Sequence, residues 1–165
     1  MNPHLESCLA IVFDATRGGG AECSVRTDPK RWSVAEIVEH LTRAYSGTAK
    51  GFERCIEKGV SLAGTASFAQ RVRQFMVIDL GYFPRGREAP KHIIPTGALD
   101  LNAVLDAVRR DLARLDDAAT STRRALGAGK MLDHPILGPL SIDQWLKFHV
   151  VHSRHHARQI RERRA

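Results

Sequence analysis

The sequence predicts an all-α protein, a four-helix bundle with a short additional N-terminal helix and long connecting loops. Three observations carry that prediction. Apolar residues recur at every third or fourth position through several long stretches, and two of those stretches open on a serine capping signal. Nowhere do apolar and polar residues alternate as they would in a half-buried strand. At 165 residues and 43% hydrophobic content, the chain suits one domain, 1–165, whose folding buries roughly 70% of the surface the unfolded chain exposes.

The first helix covers residues 3–16 and is stopped by "RGGG" at 17–20. In "RWSVAEIVEHL", Ser33 and Glu36 make a capping box, so the second helix starts at Val34. Its apolar stripe is Val34, Ile37, Leu41, Ala44, Thr48, Phe52 and Cys55, and Gly59 ends it after Lys58. A third helix fits residues 66–80, with Phe68, Val72, Phe75 and Met76 on one side. The Pro- and Gly-rich stretch "FPRGREAPKHIIPTG" (83–97) then makes a long loop, of a length that usually serves function or interaction. The fourth helix, about residues 100–125, has the clearest seam: Leu101, Val104, Leu105, Val108, Leu112 and Leu115. A second loop, "HPILGPL" (134–140), precedes Ser141 and Gln144, another capping box, from which the last helix runs almost to the C-terminus.

Composition narrows the setting. Cys8, Cys23 and Cys55 are odd in number and form no CxxC pair, which argues against a disulfide framework or a thiolate metal cluster and fits a cytoplasmic protein. The apolar run "LAIVF" (9–13) is too short to span a bilayer and no Lys or Arg precedes it, so no membrane partner is expected. The net charge is +7, with Arg154, Arg158, Arg161, Arg163 and Arg164 in the last helix. Cations favour the negative end of a helix, and no aromatic residues interleave with these arginines as stacking platforms would. Nucleic-acid binding is therefore ranked last.

"FHVVHSRHHARQI" (148–160) holds four of the chain's eight histidines. At about 100° per residue, with His149 as zero, His156 falls about 20° and His152 about 60° away, on the face of Ile142, Trp145 and Ile160. Lys147, Arg154, Arg158 and Arg161 take the opposite side, and His155 lies on the shoulder. An inward imidazole needs a partner for each ring nitrogen. One core histidine finds such partners easily, three on one stripe do not, and a cation solves the problem at once. His152 and His156 stand at i and i+4, the spacing at which two imidazoles reach one ion. The third ligand must come from elsewhere. His40, at the edge of the second helix's apolar stripe, is the best candidate. Glu36, one turn earlier, can ligate, orient His40 or act as a base.

"RWSVAEIVEHL" followed by "HVVHSRHHARQI" resembles the DinB/YfiT-like metal-binding superfamily, and "HPILGPLSIDQWLKFH" resembles one of its branches of unassigned function. The likeness covers residues 32–160. It implies a four-helix bundle in which His40 joins the pair His152 and His156 on a divalent metal, with Gln159 where the family places a Gln after its last ligand. His149 and His155 exceed the minimal pattern, which leaves open whether His149 also ligates.

A three-imidazole site suits Zn²⁺, Ni²⁺, Fe²⁺ or Cu²⁺, zinc and nickel first, and three protein ligands leave a position open to water or substrate. The expectation is a metal-dependent enzyme, a transferase or hydrolase acting on a small molecule. The resemblance adds a low-molecular-weight thiol as the group to be activated. Glu36, His149 and His134 are candidates for supporting the ligands or for acid–base work, and the two loops are candidates to wall the cavity, with Arg85 and Arg87 drawing in an anionic substrate. The alternative is a non-enzymatic metal-bearing bundle that binds or senses a small ligand, or simply a homodimer.

Overall fold

A computed structural model describes residues 1–83 and 90–165. Arg85 and Arg87 lie outside the described residues. The protein is mostly helical, with one small antiparallel hairpin. Helix α1 covers Pro3–Thr16, α2 Val34–Lys58, α3 Phe68–Gln74, α4 Leu101–Leu126 and α5 Ile142–Arg164; strands β1 (Lys130–His134) and β2 (Gly138–Ser141) form the hairpin.

Each long helix starts where its side chains satisfy the free N–H groups of the first turn. The Ser33 hydroxyl accepts from the Glu36 amide at 3.2 Å while the Glu36 carboxylate takes the Ser33 amide at 2.8 Å. Ser141 and Gln144 repeat the exchange at the head of α5. Gly59, at φ 67°, closes α2 in the left-handed conformation open to glycine.

The chief packing pairs are α2 with α4 and α1 with α5, and α2 also meets α5. The seam of α4 is fully buried at Val104, Val108, Leu112 and Leu115. Helix α1 is no appendage: Leu5, Cys8 and Val12 are wholly buried, and the helix lies along α5. Among the described residues, no helix is long and apolar enough to cross a membrane.

Two sequence expectations are corrected. The segment 66–80 is helical but not one continuous α-helix. The α-helix stops at Gln74 and passes into a π-helical turn, Phe75–Asp79. The four apolar residues on one side of it face solvent, Phe68 at 82% and Phe75 at 55% exposure, while Gln74, Val77 and Ile78 are buried. Polar bonding sets that orientation: the Gln74 amide donates to the carbonyls of Leu137 (2.8 Å) and Pro139 (3.1 Å) in the hairpin. The stretch 134–140 is not simply a loop but the turn and second strand of that hairpin, with His134 paired to Gly138 and Leu132 to Leu140. A two-stranded ladder this short, interrupted by a bulge and containing Gly138-Pro139, has too few positions to show alternation. Its turn is held by His134, whose Nδ1 accepts from the amides of Ile136 and Leu137, both at 3.2 Å.

Candidate metal centre

All the histidines except His4 line one cavity of about 710 Å³ beside α2, α5 and the hairpin. Within it, His40 from α2 and His152 and His156 from α5 come together, all three buried. His152 Nε2 lies 3.2 Å from His40 Nε2 and 3.0 Å from His156 Nε2. One nitrogen from each residue lies within 4.8 Å of the others, so the group could hold a metal ion.

The hydrogen bonds around the cluster decide what these nitrogens offer. His40 Nδ1 stands 2.9 Å from the Ile93 carbonyl, which can only accept, so the proton is on Nδ1 and the lone pair on Nε2. His156 Nδ1 donates to Gln159 Oε1 at 2.8 Å, which again leaves an Nε2 lone pair, and the Gln159 amide is oriented by His155 Nε2 at 3.2 Å. Burial pushes the pKa of His40 down, that of His152 well down and that of His156 to about 3. The rings are therefore neutral at physiological pH, and the Nε2 lone pairs of His40 and His156 both face the Nε2 of His152. Nitrogens 2.0–2.1 Å from a tetrahedral zinc stand about 3.3 Å apart, close to both measured edges. The residues fit a divalent ion.

His152 is held differently. Its ring packs at a small angle to both Phe83 and Phe148, at 5.5 and 5.4 Å, in a cluster in which those two rings also touch, and its Nδ1 is buried without a partner. Stacking replaces the hydrogen bond that orients the other two ligands.

Glu36 is not part of this group. Its carboxylate caps α2 and takes Arg26 at 2.8 Å, and the Arg26 guanidinium holds it below the usual carboxylate range. The neighbouring Glu39 matters more to the site. It accepts from the Thr96 amide (2.9 Å) and hydroxyl (2.8 Å), from the Gly97 amide (3.0 Å) and from Arg43. Burial alone would raise its pKa, but these donors outweigh it and keep Glu39 ionised. The contact pins residues 96–97 to α2, three residues beyond the Ile93 carbonyl that orients His40. His149 and His134 also line the cavity, but neither is in the convergent group: His149 Nε2 is 3.0 Å from Thr48 Oγ1, and His134 is committed to the hairpin turn. Burial lowers their pKa values to about 3 and about 4.

A model of the family described as "Protein of unknown function (DUF1569)" matches residues 19–163. The chain belongs to that family. The DUF1569 span contains every residue of the cavity and omits α1. The chain is also similar to the uncharacterized protein YuaE of Bacillus subtilis (strain 168), 22% identical over 145 residues, which is 81% of this chain and 77% of the relative. No solved structure matches.

Sequence reasoning offered the stretch 83–97 as a cavity wall, which Phe83 and Ile93 do line, but it did not single those two out and did not find Glu39 or the cationic rim. A backbone carbonyl has no side-chain signature, and Glu39 reads as an ordinary helix-surface acid. The rim comprises Lys30, Arg31, Arg73 and Arg163; Arg31 pairs with Asp28 at 3.9 Å, and Asp133 is the acidic residue among the described lining residues. Only the fold brings the ends of α2, α3 and α5 to one opening.

Proposed function

We propose that this DUF1569 protein is a divalent-metal-dependent enzyme, a transferase or hydrolase acting on a small anionic substrate. The carrying observation is the convergence of three neutral imidazoles, two of which, His40 and His156, have their outer nitrogens tied to Ile93 and Gln159, so that their lone pairs rather than protons face His152 Nε2. His40, His152 and His156 hold the ion, and zinc or nickel fits the donor set best. The likeness to the DinB/YfiT four-helix bundles agrees with this ligand pattern. A bound divalent ion supplies Lewis acidity, which makes water or a low-molecular-weight thiol nucleophilic at neutral pH.

The chain's own residues do the rest. Lys30, Arg73 and Arg163, without carboxylate partners among the described residues, draw an anion to the mouth. Phe83, Phe148 and Trp145 give the interior an apolar wall. One observation favours the second reading, a metal-bearing small-ligand binder without turnover. The buried carboxylates beside the site, Glu36 and Glu39, are both engaged, which leaves proton transfer to His134 and His149.

Protein purified without a histidine tag should carry about one equivalent of divalent metal, and His156→Ala should lose it while keeping its helical signal. Unchanged metal content in the variant overturns the ligand assignment. Turnover of an electrophile that depends on metal and on added thiol selects transfer. Tight thiol-independent ligand binding without turnover selects the second reading.

A further inference from the structure

In the same cavity, beside the three-imidazole group, a second pair of imidazoles is only half-satisfied by the protein. His149 is wholly buried and bonds through one nitrogen. The Thr48 hydroxyl donates to the Ala44 carbonyl at 3.1 Å, so its oxygen accepts from His149, and the imidazole proton sits on Nε2. Nδ1 is left as a lone pair, buried and without a partner. His134 is the complementary tautomer. Its Nδ1 accepts two backbone amides, so the proton sits on Nε2, for which the described residues provide no acceptor. The same two rings bracket both imidazoles: Phe148 at 4.6 Å from His134 and 5.5 Å from His149, Trp145 at 5.4 and 5.9 Å. An acceptor on α5, one turn before His152, and a donor on the hairpin thus touch the same two aromatic rings.

We infer that this part of the cavity is a recognition subsite for a hydroxyl group borne on a flat apolar body, the hydroxyl donating to His149 Nδ1 and accepting from the Nε2–H of His134, with the body lying against Trp145 and Phe148. A hydroxyl is the smallest group that is donor and acceptor at one atom, which is what two nitrogens of opposite role demand. The subsite shares the cavity of the proposed enzyme but requires no metal. If that enzyme reading is right, the substrate is a hydroxyaryl or similar small molecule whose reactive group lies a few atoms from its hydroxyl.

The chain has two tryptophans, Trp32 and Trp145, and both line the cavity, so intrinsic fluorescence reports occupancy. The test titrates phenol, anisole and toluene into the full-length protein, once after chelation and once loaded with zinc. Anisole keeps the ring and an acceptor oxygen but cannot donate. The expected result is phenol binding at least tenfold more tightly than either analogue in both states. Thr48→Val removes the acceptor that fixes the His149 tautomer, so the phenol preference should fall to about twofold; His149→Phe should abolish it, with circular dichroism verifying that each variant is folded. Equal affinities for phenol and anisole in the unmodified protein overturn the inference, as does no fluorescence change with any probe, which would assign the pair to a bound water. Phenol selectivity that persists in chelated protein, alongside unchanged metal content in His156→Ala, would sink the metal site and leave the subsite standing.

Discussion

Gln159 offers the sharpest test of the metal centre because it should bind nothing itself. Its carboxamide oxygen takes the Nδ1–H of His156 at 2.8 Å. Gln159→Ala leaves that N–H without its acceptor in a residue that is 6% exposed. An unmatched buried donor costs about 1–3 kcal/mol, and the ring also becomes free to move its proton to Nε2 and withdraw the lone pair. Because position 159 is only half-buried, water replaces part of the lost bond, which places the effect near the lower end. The expected loss of zinc affinity is about tenfold, within the tenfold to hundredfold typical of partners that orient a ligand. Competition against a chromophoric chelator near neutral pH measures it. Gln159→Glu restores an acceptor, now charged, and should recover the affinity or exceed it. An Ala variant that binds zinc as tightly as the parent protein would refute the claim that His156 ligates through Nε2.

Three further outcomes follow from other parts of the structure. Glu39→Gln loosens the clasp on residues 96–97 and with it the Ile93 carbonyl, so zinc affinity should drop several-fold in the same competition assay, while an unchanged value would detach that clasp from the site. Burial holds His134 near 4 and His149 near 3, below the ordinary 6.5 of an unfolded chain; as pH falls below 6.5 the unfolded state takes up protons that the folded state refuses, so each imidazole removes about 1.4 kcal/mol of stability per pH unit down to about its folded pKa. Urea midpoints measured from neutral pH to pH 4 should fall steadily, and a flat profile would contradict the neutral, buried assignment. Leu112→Ala empties a wholly buried position on the α4 seam and should cost about 2–5 kcal/mol in urea unfolding, whereas a loss well under 1 kcal/mol would mean that seam is not a packed core.

What the sequence revealed depended on how local the cause was. The starts of α2 and α5 were readable because a capping box is written in four consecutive residues, and the α4 seam because one face repeats along its whole length. His152 and His156 were readable from their spacing on one face, and His40 from its place at the edge of a stripe. Segment 66–80 showed a helix and its common apolar side, but helical spacing does not say which way that side turns. Its orientation is set by Gln74 reaching hairpin carbonyls more than sixty residues away. The hairpin was hidden by its brevity. Glu36 and Glu39 look equivalent in sequence, and only the distant Thr96 and Gly97 amides make the second one an anchor of the site.

Helix α1 carries a practical consequence. The DUF1569 match begins at residue 19, yet Leu5, Cys8 and Val12 are sealed against α5, the helix whose other face presents His152 and His156. Trimming the chain to the matched span would strip the apolar backing from the rod that sets the pitch of two ligands. Such a fragment would expose a greasy flank and lose the rigidity that fixes the distance to His40, so domain borders drawn from sequence likeness are the wrong place to cut.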